Sequence, residues 1–253
     1  MSLRAQINSG ARFVSMAESG VSLQDVWSLT QNQAGLASLI RPALALAYEK
    51  RFIESELSTQ TAIFALPYKH NVFGISFQQY GFSAYKEQKA GFTYARKFGN
   101  TLYTALNFNY HQIKITNYGS AQTYSLEAGI QYQFSKNLVF GTHISNPINN
   151  QFDQAAVGST IPVNLQFGAS YLFSDKVLIA TAFEKTLNSN TDYKIGAEYN
   201  LIQWLCLRGG FSANPFKQYA GFGLNYSQFK LDMATSSHPV LGYSPQIAIS
   251  YEF

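Results

Sequence analysis

The sequence predicts an all-β protein: a 14-stranded antiparallel transmembrane β-barrel with a short, partly helical N-terminal plug segment. Three observations carry that expectation. From residue 43 onward the chain is a succession of alternating segments of about ten residues bounded by polar or turn-forming residues, the length a tilted strand needs to cross a bilayer. The connections between these segments alternate between short and longer. Aromatic residues make up 15% of the chain and charged residues 13%, the latter about half of the roughly 25% usual for soluble domains. Few charges and many rings suit a wall that faces lipid. The sequence has no run of about eighteen apolar residues, so it holds no helical span. A membrane-embedded β-sheet must then close on itself to satisfy its backbone.

Residues 1–6 are expected to be a residual signal or the mature N-terminus. They are too few for an apolar signal core, while Ala5-Gln6 resembles the end of a cleavage region. Residues 7–41 do not alternate. Ser22 and Asp25 have the spacing of a capping box, and Leu23, Val26, Trp27 and Thr30 recur at helical spacing. That spacing predicts a helix over 23–32, stopped near Gly35. Pro42 marks the change to strands. The segment is too short to be a domain, and its apolar residues need a surface, which the barrel lumen offers. A plug over 7–41 is therefore expected, with Ser22, Asp25, Trp27, Asn32, Gln33, Ala34 and Gly35 as its candidate functional residues.

The barrel is expected over 42–253, with strand centres near Leu46, Ala62, Ile75, Tyr94, Leu106, Ala128, Phe140, Phe167, Ile179, Ala197, Leu207, Leu224, Leu231 and Ile249. An even number of strands places both ends of the barrel on one side. The even-numbered connections, near 68–70, 99–100, 135–137, 174–176, 202–203 and 227–228, read as short turns. The odd-numbered ones read as longer: 51–57, 79–89, 116–122, 146–160, 186–191, 213–217 and 236–244. Strict alternation of this kind is the habit of outer-membrane barrels. Phe134-Ser135-Lys136-Asn137-Leu138 and Phe173-Ser174-Asp175-Lys176-Val177 repeat one turn with a ring just before the bend, where an interfacial girdle would sit.

Period-two alternation also assigns faces. Tyr124, Leu126, Ile130 and Tyr132 form one outward stripe, Leu165, Phe167, Tyr171 and Phe173 a second, and Tyr193, Ile195 and Tyr199 a third. Their polar alternates should face inward, because an outward Lys or Arg at mid-bilayer costs roughly 2–4 kcal/mol. The candidate lumen residues are Glu127, Gln131, His143, Lys194, Glu198, Arg208, Lys230 and Asp232, with Asp192 beside them, and opposite charges among them should pair with each other or with the plug. Arg96 is the exception, in outward register with Tyr94 and Phe98, close enough to a turn to snorkel. Lys86, Lys89 and Arg51 fall in the expected outside loops, where they would be solvated or meet head groups. Eight glycines (74, 91, 129, 141, 168, 196, 221 and 223) point inward, a pattern that suggests another backbone approaching inside the barrel.

In the last strand, Ile247, Ile249, Tyr251 and Phe253 share one face, and Gln246, Ala248, Ser250 and Glu252 the other. A chain ending on an aromatic residue of such a strand resembles the C-terminal sorting signal of bacterial outer-membrane barrels. The net charge of +4 is unclustered and points to no nucleic-acid partner. The single Cys206 has no pairing partner and reads as a packing residue. No metal or nucleotide signature occurs, and no cofactor is expected. Of the four histidines, His111 and His143 read as satisfied lumen groups. His143, Ser145 and Asp153 could be drawn as a nucleophilic set, but their face points to the lumen, so a non-catalytic protein is expected.

Gly10-Ala11-Arg12, then Met16-Ala17-Glu18-Ser19-Gly20-Val21, Asp25 and Asn32-Gln33-Ala34-Gly35-Leu36, resemble the start of the FadL-like outer-membrane family, most closely its PorV and PorQ branch associated with type IX secretion. The resemblance implies an N-terminal plug with an Asn-Pro-Ala-Gly-Leu motif, fourteen strands, a terminal aromatic residue and residence in the bacterial outer membrane. Gln33 stands where the family has proline. Two functions are implied. One is an accessory subunit of a larger protein export or assembly complex, favoured because the expected loops leave little material for a capture groove. The alternative is a transporter of hydrophobic small molecules. The implied partners are outer-membrane lipid, a larger outer-membrane complex and, under the alternative, a hydrophobic ligand.

Overall fold

The computed structural model describes residues 10–53, 55–152, 160–187 and 189–253. Fourteen strands close into one antiparallel barrel in sequence order, β1 pairing with both β2 and β14. The strands are β1 (Ala43–Lys50), β2 (Ser58–Tyr68), β3 (Asn71–Phe82), β4 (Tyr85–Phe98), β5 (Leu102–Ile115), β6 (Gly119–Gln133) and β7 (Leu138–Ser145). They continue as β8 (Asn164–Ser174), β9 (Val177–Thr186), β10 (Asp192–Ile202), β11 (Leu205–Ala213), β12 (Phe216–Tyr226), β13 (Phe229–His238) and β14 (Gly242–Glu252). Each predicted centre lies in its own strand. The terminal strand closes the wall: Ile249 stands opposite Leu46 on β1 and Leu231 on β13. Ile247, Ile249 and Phe253 are exposed on the outside, and Gln246, Ala248 and Ser250 are buried inside.

The connections at the end that carries β1's start and β14's finish are the short ones, as the alternation predicts. At the other end the expectation fails in part. The connections near 79–89, 116–122, 213–217 and 236–244 are tight hairpins in which the strands run on, leaving only 83–84, 116–118, 214–215 and 239–241 between them. Polar residues on both faces of these stretches erase the alternation that would have marked them as strand. Lys89 is the residue most affected. It lies within β4 and faces inward, with no part in an outside loop. Lys86 is exposed on the outer face of β4, and Arg51 lies just past β1, bonded to Glu49 and 5.7 Å from the ring of Tyr80. Arg96 is exposed as expected, its guanidinium 5.0 Å from the Phe98 ring.

Residues 10–38 sit inside the lumen. A six-residue helix, α1 (Gly10–Ser15), lies against β11–β14 and β1. Three 3-10 turns follow: Gly20–Ser22 against β7–β9, Val26–Thr30 against β1–β3, and Gln33–Ser38 against β3–β6. The segment thus winds round the inner wall before entering β1. The single helix predicted over 23–32 does not form, and α1 falls where no helix was expected. The reason is capping: Asp25 accepts from the Trp27 amide at 2.8 Å, and Asn32 accepts from the Ala34 amide at 3.2 Å. Two caps seven residues apart cut the stretch into short turns that follow the curvature of the wall. The capping box is real but displaced. Asp25 is the N-cap with Ser28 as its reciprocal partner, whereas the buried Ser22 hydroxyl caps nothing. Gly35 does not end the helical stretch either. It lies inside the third turn, where a Cβ would stand 2.5 Å from the Leu23 carbonyl oxygen.

Candidate functional site in the lumen

The centre of the lumen is apolar. Phe13, Met16, Val21, Trp27, Leu29 and Leu36 are buried, and the wall facing them is largely alanine: Ala43, Ala45, Ala65, Ala95, Ala105, Ala180 and Ala248. Small inward side chains make room for a peptide segment that a wall of larger residues would exclude. Where the backbones come closest, the wall has glycine. A Cβ at Gly141 would stand 2.2 Å from the Val21 carbonyl oxygen, one at Gly196 2.4 Å from that of Met16, and one at Gly129 2.1 Å from Asn32 Oδ1. Gly74, Gly168, Gly210 and Gly221 meet the same segment. Gly210 was not anticipated. Gly91 and Gly223 do something else, clearing space for polar side chains of the wall itself.

Two polar clusters flank this centre. On the β10–β13 side, Arg12 of α1 makes a two-pronged contact with Glu198 (Nε–Oε2 2.8 Å, Nη2–Oε1 3.0 Å) and a third bond to Asp25. Glu198 also accepts from Arg208 at 2.7 Å, and Arg208 reaches Asp232 at 2.6 Å. The wall register builds this chain. Glu198 stands directly opposite Arg208, while Gly223, opposite Asp232, leaves the gap through which the Arg208 guanidinium crosses β12. Burial alone would disfavour the charge on Arg12, but the Glu198 and Asp25 carboxylates outweigh it and hold its pKa well above the ordinary value. An ion pair therefore links segment and wall. Lys194, higher in the lumen, pairs with Glu184 and with Glu18 of the segment. Lys230 stands apart, half exposed and paired with Glu252.

On the β4–β7 side the contacts are mostly amide hydrogen bonds around one carboxylate. Glu127, almost fully buried, accepts from Lys89 at 2.8 Å, Asn109 at 2.8 Å, Asn107 at 3.3 Å and Gln33 at 2.5 Å. Gln33 thus ties the segment to this carboxylate. Asn32 Nδ2 lies 2.6 Å from the Val21 carbonyl oxygen and 3.2 Å from those of Ile130 and Thr142. Gln131 donates to the Val21 and Leu23 carbonyl oxygens at 3.0 Å each. Ala34 is buried at the start of the third turn. His143 is buried with Nε2 3.4 Å from Glu127, and His111 Nε2 is 2.8 Å from the Ser125 hydroxyl. Asp153, the third member of the nucleophilic set drawn from the sequence, lies outside the described residues. Asp192 accepts from the Ala213 and Asn214 amides and anchors the 214–215 hairpin.

Arg12, Glu18, Glu184, Asn107 and Asn109 join the site without having been singled out, and Lys89 joins it from a stretch expected to be an outside loop. Lys89, Glu184, Asn107 and Asn109 sit in inward register on their strands, a signal present in the sequence. Arg12 and Glu18 carried none beyond their place in the resemblance. Among the described residues, one polar cavity lies above the segment and another below it. The one at the long-loop end, about 180 Å³, is lined by Glu18, Lys89, Glu127, Lys194 and Tyr219 among others. The one at the short-turn end, about 210 Å³, is lined by Arg12, Asp25, Glu198, Arg208 and Lys230.

No family model and no curated protein matches the chain by sequence. Solved structures do match its fold. The Pseudomonas putida toluene transporter TodX superposes with a TM-score of 0.75 at 10% identity, covering 96% of this chain and 97% of that one. The Ralstonia pickettii toluene transporter TbuX gives 0.71 at 13% identity, covering 96% and 98%. A Pseudomonas aeruginosa FadL homologue gives 0.72 at 10% identity, covering 96% and 98%. The unmatched share is smaller than the lumenal segment, so the likeness extends into that segment as well as the wall. The fold is that of the FadL-type barrels.

Proposed function

We propose that this chain is a bacterial outer-membrane barrel that transports hydrophobic small molecules, with residues 10–38 as its plug. The reading rests above all on the correspondence of fold along the whole chain with barrels described as hydrocarbon transporters. The alanine belt supports it: were the segment to shift, the passage beside it would be lined by small apolar side chains, which a hydrophobic solute does not pay to dehydrate. In this reading the fourteen outward faces contact membrane lipid and the terminal strand carries the sorting information. The protein is non-catalytic, and its buried polar groups hold the plug.

Transport is tested by expressing the chain in cells lacking their own hydrocarbon channels and measuring uptake of a labelled monoaromatic hydrocarbon and a long-chain fatty acid. Uptake several-fold above the empty-vector strain is expected for at least one of them. No uptake by a barrel verified in the outer membrane, together with co-purification of a larger barrel, would return the assignment to an accessory subunit of an export complex, the function that the short expected loops favour. Planar-bilayer conductance with and without residues 10–38 tests the plug. The truncated barrel is expected to conduct more, and equal conductance removes the blocking role.

A further inference from the structure

The strands β3 to β6 contain 12, 14, 14 and 15 residues, against roughly 9–11 for a strand that just crosses a bilayer. At about 3.4 Å per residue, this part of the wall stands well above the hydrocarbon at the long-loop end. Its outward face changes character row by row. Phe77, Tyr110 and Tyr124 share one row, with Tyr110 Oη donating to Gln122 at 2.8 Å in the row above. That next row holds four glutamines, one per strand: Gln79 opposite Gln88, Gln88 opposite Gln112, and Gln112 opposite Gln122. One step higher, Lys86 and Lys114 are direct cross-strand partners, both exposed. Like charges directly opposite each other on a sheet destabilise it. The only carboxylates on these four strands, Glu87 and Glu127, face inward, so the wall supplies no counter-charge outside.

A row of rings broken only by Ala90, then a row of amides, then a pair of ammonium groups suits the passage out of the hydrocarbon: rings at the interface, then hydrogen-bonding groups and cations among polar, anionic head groups. We propose that this face binds the phosphorylated sugar head group of a glycolipid in the outer leaflet, with Lys86 and Lys114 on phosphate and the glutamine row on sugar hydroxyls. The inference rests on the outer-membrane reading for the direction in which the long-loop end points, and on nothing about transport.

The test is native mass spectrometry of the full chain in detergent. The probes are a bis-phosphorylated acyl-disaccharide lipid, its dephosphorylated counterpart and phosphatidylglycerol. The wild-type protein is expected to retain the phosphorylated glycolipid, and Lys86→Gln/Lys114→Gln to lose about tenfold or more of that binding. Gln88→Leu/Gln112→Leu should weaken glycolipid binding while leaving phosphatidylglycerol unaffected. Both pairs point outward, and an unchanged β-sheet circular dichroism spectrum verifies folding. Equal retention of the dephosphorylated lipid, equal retention of phosphatidylglycerol, or an unaltered lysine double variant would each overturn the proposal. A barrel found in another membrane would overturn the functional reading, separately from any result in detergent.

Discussion

On the β10–β13 side of the barrel the lumenal segment is fixed by charge: Arg12 lies between Asp25 and Glu198, and Glu198 is shared with Arg208. On the β4–β7 side it is fixed by shape and amides: Asn32 against Gly129, Val21 against Gly141, Gln33 on Glu127, and Gln131 on two segment carbonyls. The first attachment is made of mostly buried charges, so removing one partner strands another without its counter-charge and costs heavily. The second spreads its hold over several hydrogen bonds, each worth less, and over a close fit that only glycine permits. One segment therefore carries an ionic anchor at its start and a steric, amide-bonded anchor at its end.

The largest expected effect comes from breaking the ionic anchor. Glu198→Ala leaves Arg12 with Asp25 alone and Arg208 with Asp232 alone, and is expected to cost about 3–5 kcal/mol, read as a fall in urea unfolding midpoint in lipid vesicles. A loss below about 1 kcal/mol would mean the charges are solvated and the anchor is weak. Next is Gly141→Val, whose Cβ would collide with the Val21 carbonyl. Overpacking of about 1–3 kcal/mol is expected, with raised conductance in planar bilayers as the segment is pushed from the wall. An unchanged conductance would show that the amide side can yield without moving the segment.

Gln33→Pro installs the proline of the motif that residues 32–36 resemble and separates backbone from side chain. Asn32 is already extended (φ −123°, ψ 98°) and Gln33 is the first residue of its turn, so proline fits the backbone. The lost hydrogen bond to a carboxylate should dominate, at about 1–2 kcal/mol net. A stabilised variant would show that Glu127 does not need Gln33. The smallest effect is Trp27→Phe. The indole Nε1 is buried with no hydrogen-bond partner among the described residues, so removing that N–H relieves a desolvation cost that offsets much of the cavity left by the smaller ring, and the net loss should be about 1 kcal/mol or less. A larger loss would reveal a partner for that N–H.

Much of the wall was legible. The alternation of Tyr124 to Tyr132 or Tyr193 to Tyr199 states which side faces out, because a side chain's face on a strand depends only on its own position in the pleat. The inward glycines signalled a second stretch of chain inside the barrel, and six of the eight (74, 129, 141, 168, 196 and 221) do meet the lumenal segment, while Gly91 and Gly223 do not. The hairpin tips at 83–84 and 116–118 were misread because strands that rise above the bilayer no longer need an apolar face. The helix over 23–32 was misread because helical spacing over one or two turns cannot show that caps at Asp25 and Asn32 interrupt it.

The sequence by itself determined the number of strands, the face of the residues at strand centres, the closing strand and the presence of a filler, all properties with a period of two or a local signature. Only the tertiary structure decided the pairings that make the site. Arg12 and Glu198 are 186 residues apart, and Gln33 and Glu127 94. Their meeting depends on the register of a closed wall and on the path of the segment within it. That path is set by where glycine and alanine leave room, a sum over the whole barrel that no short stretch of sequence contains.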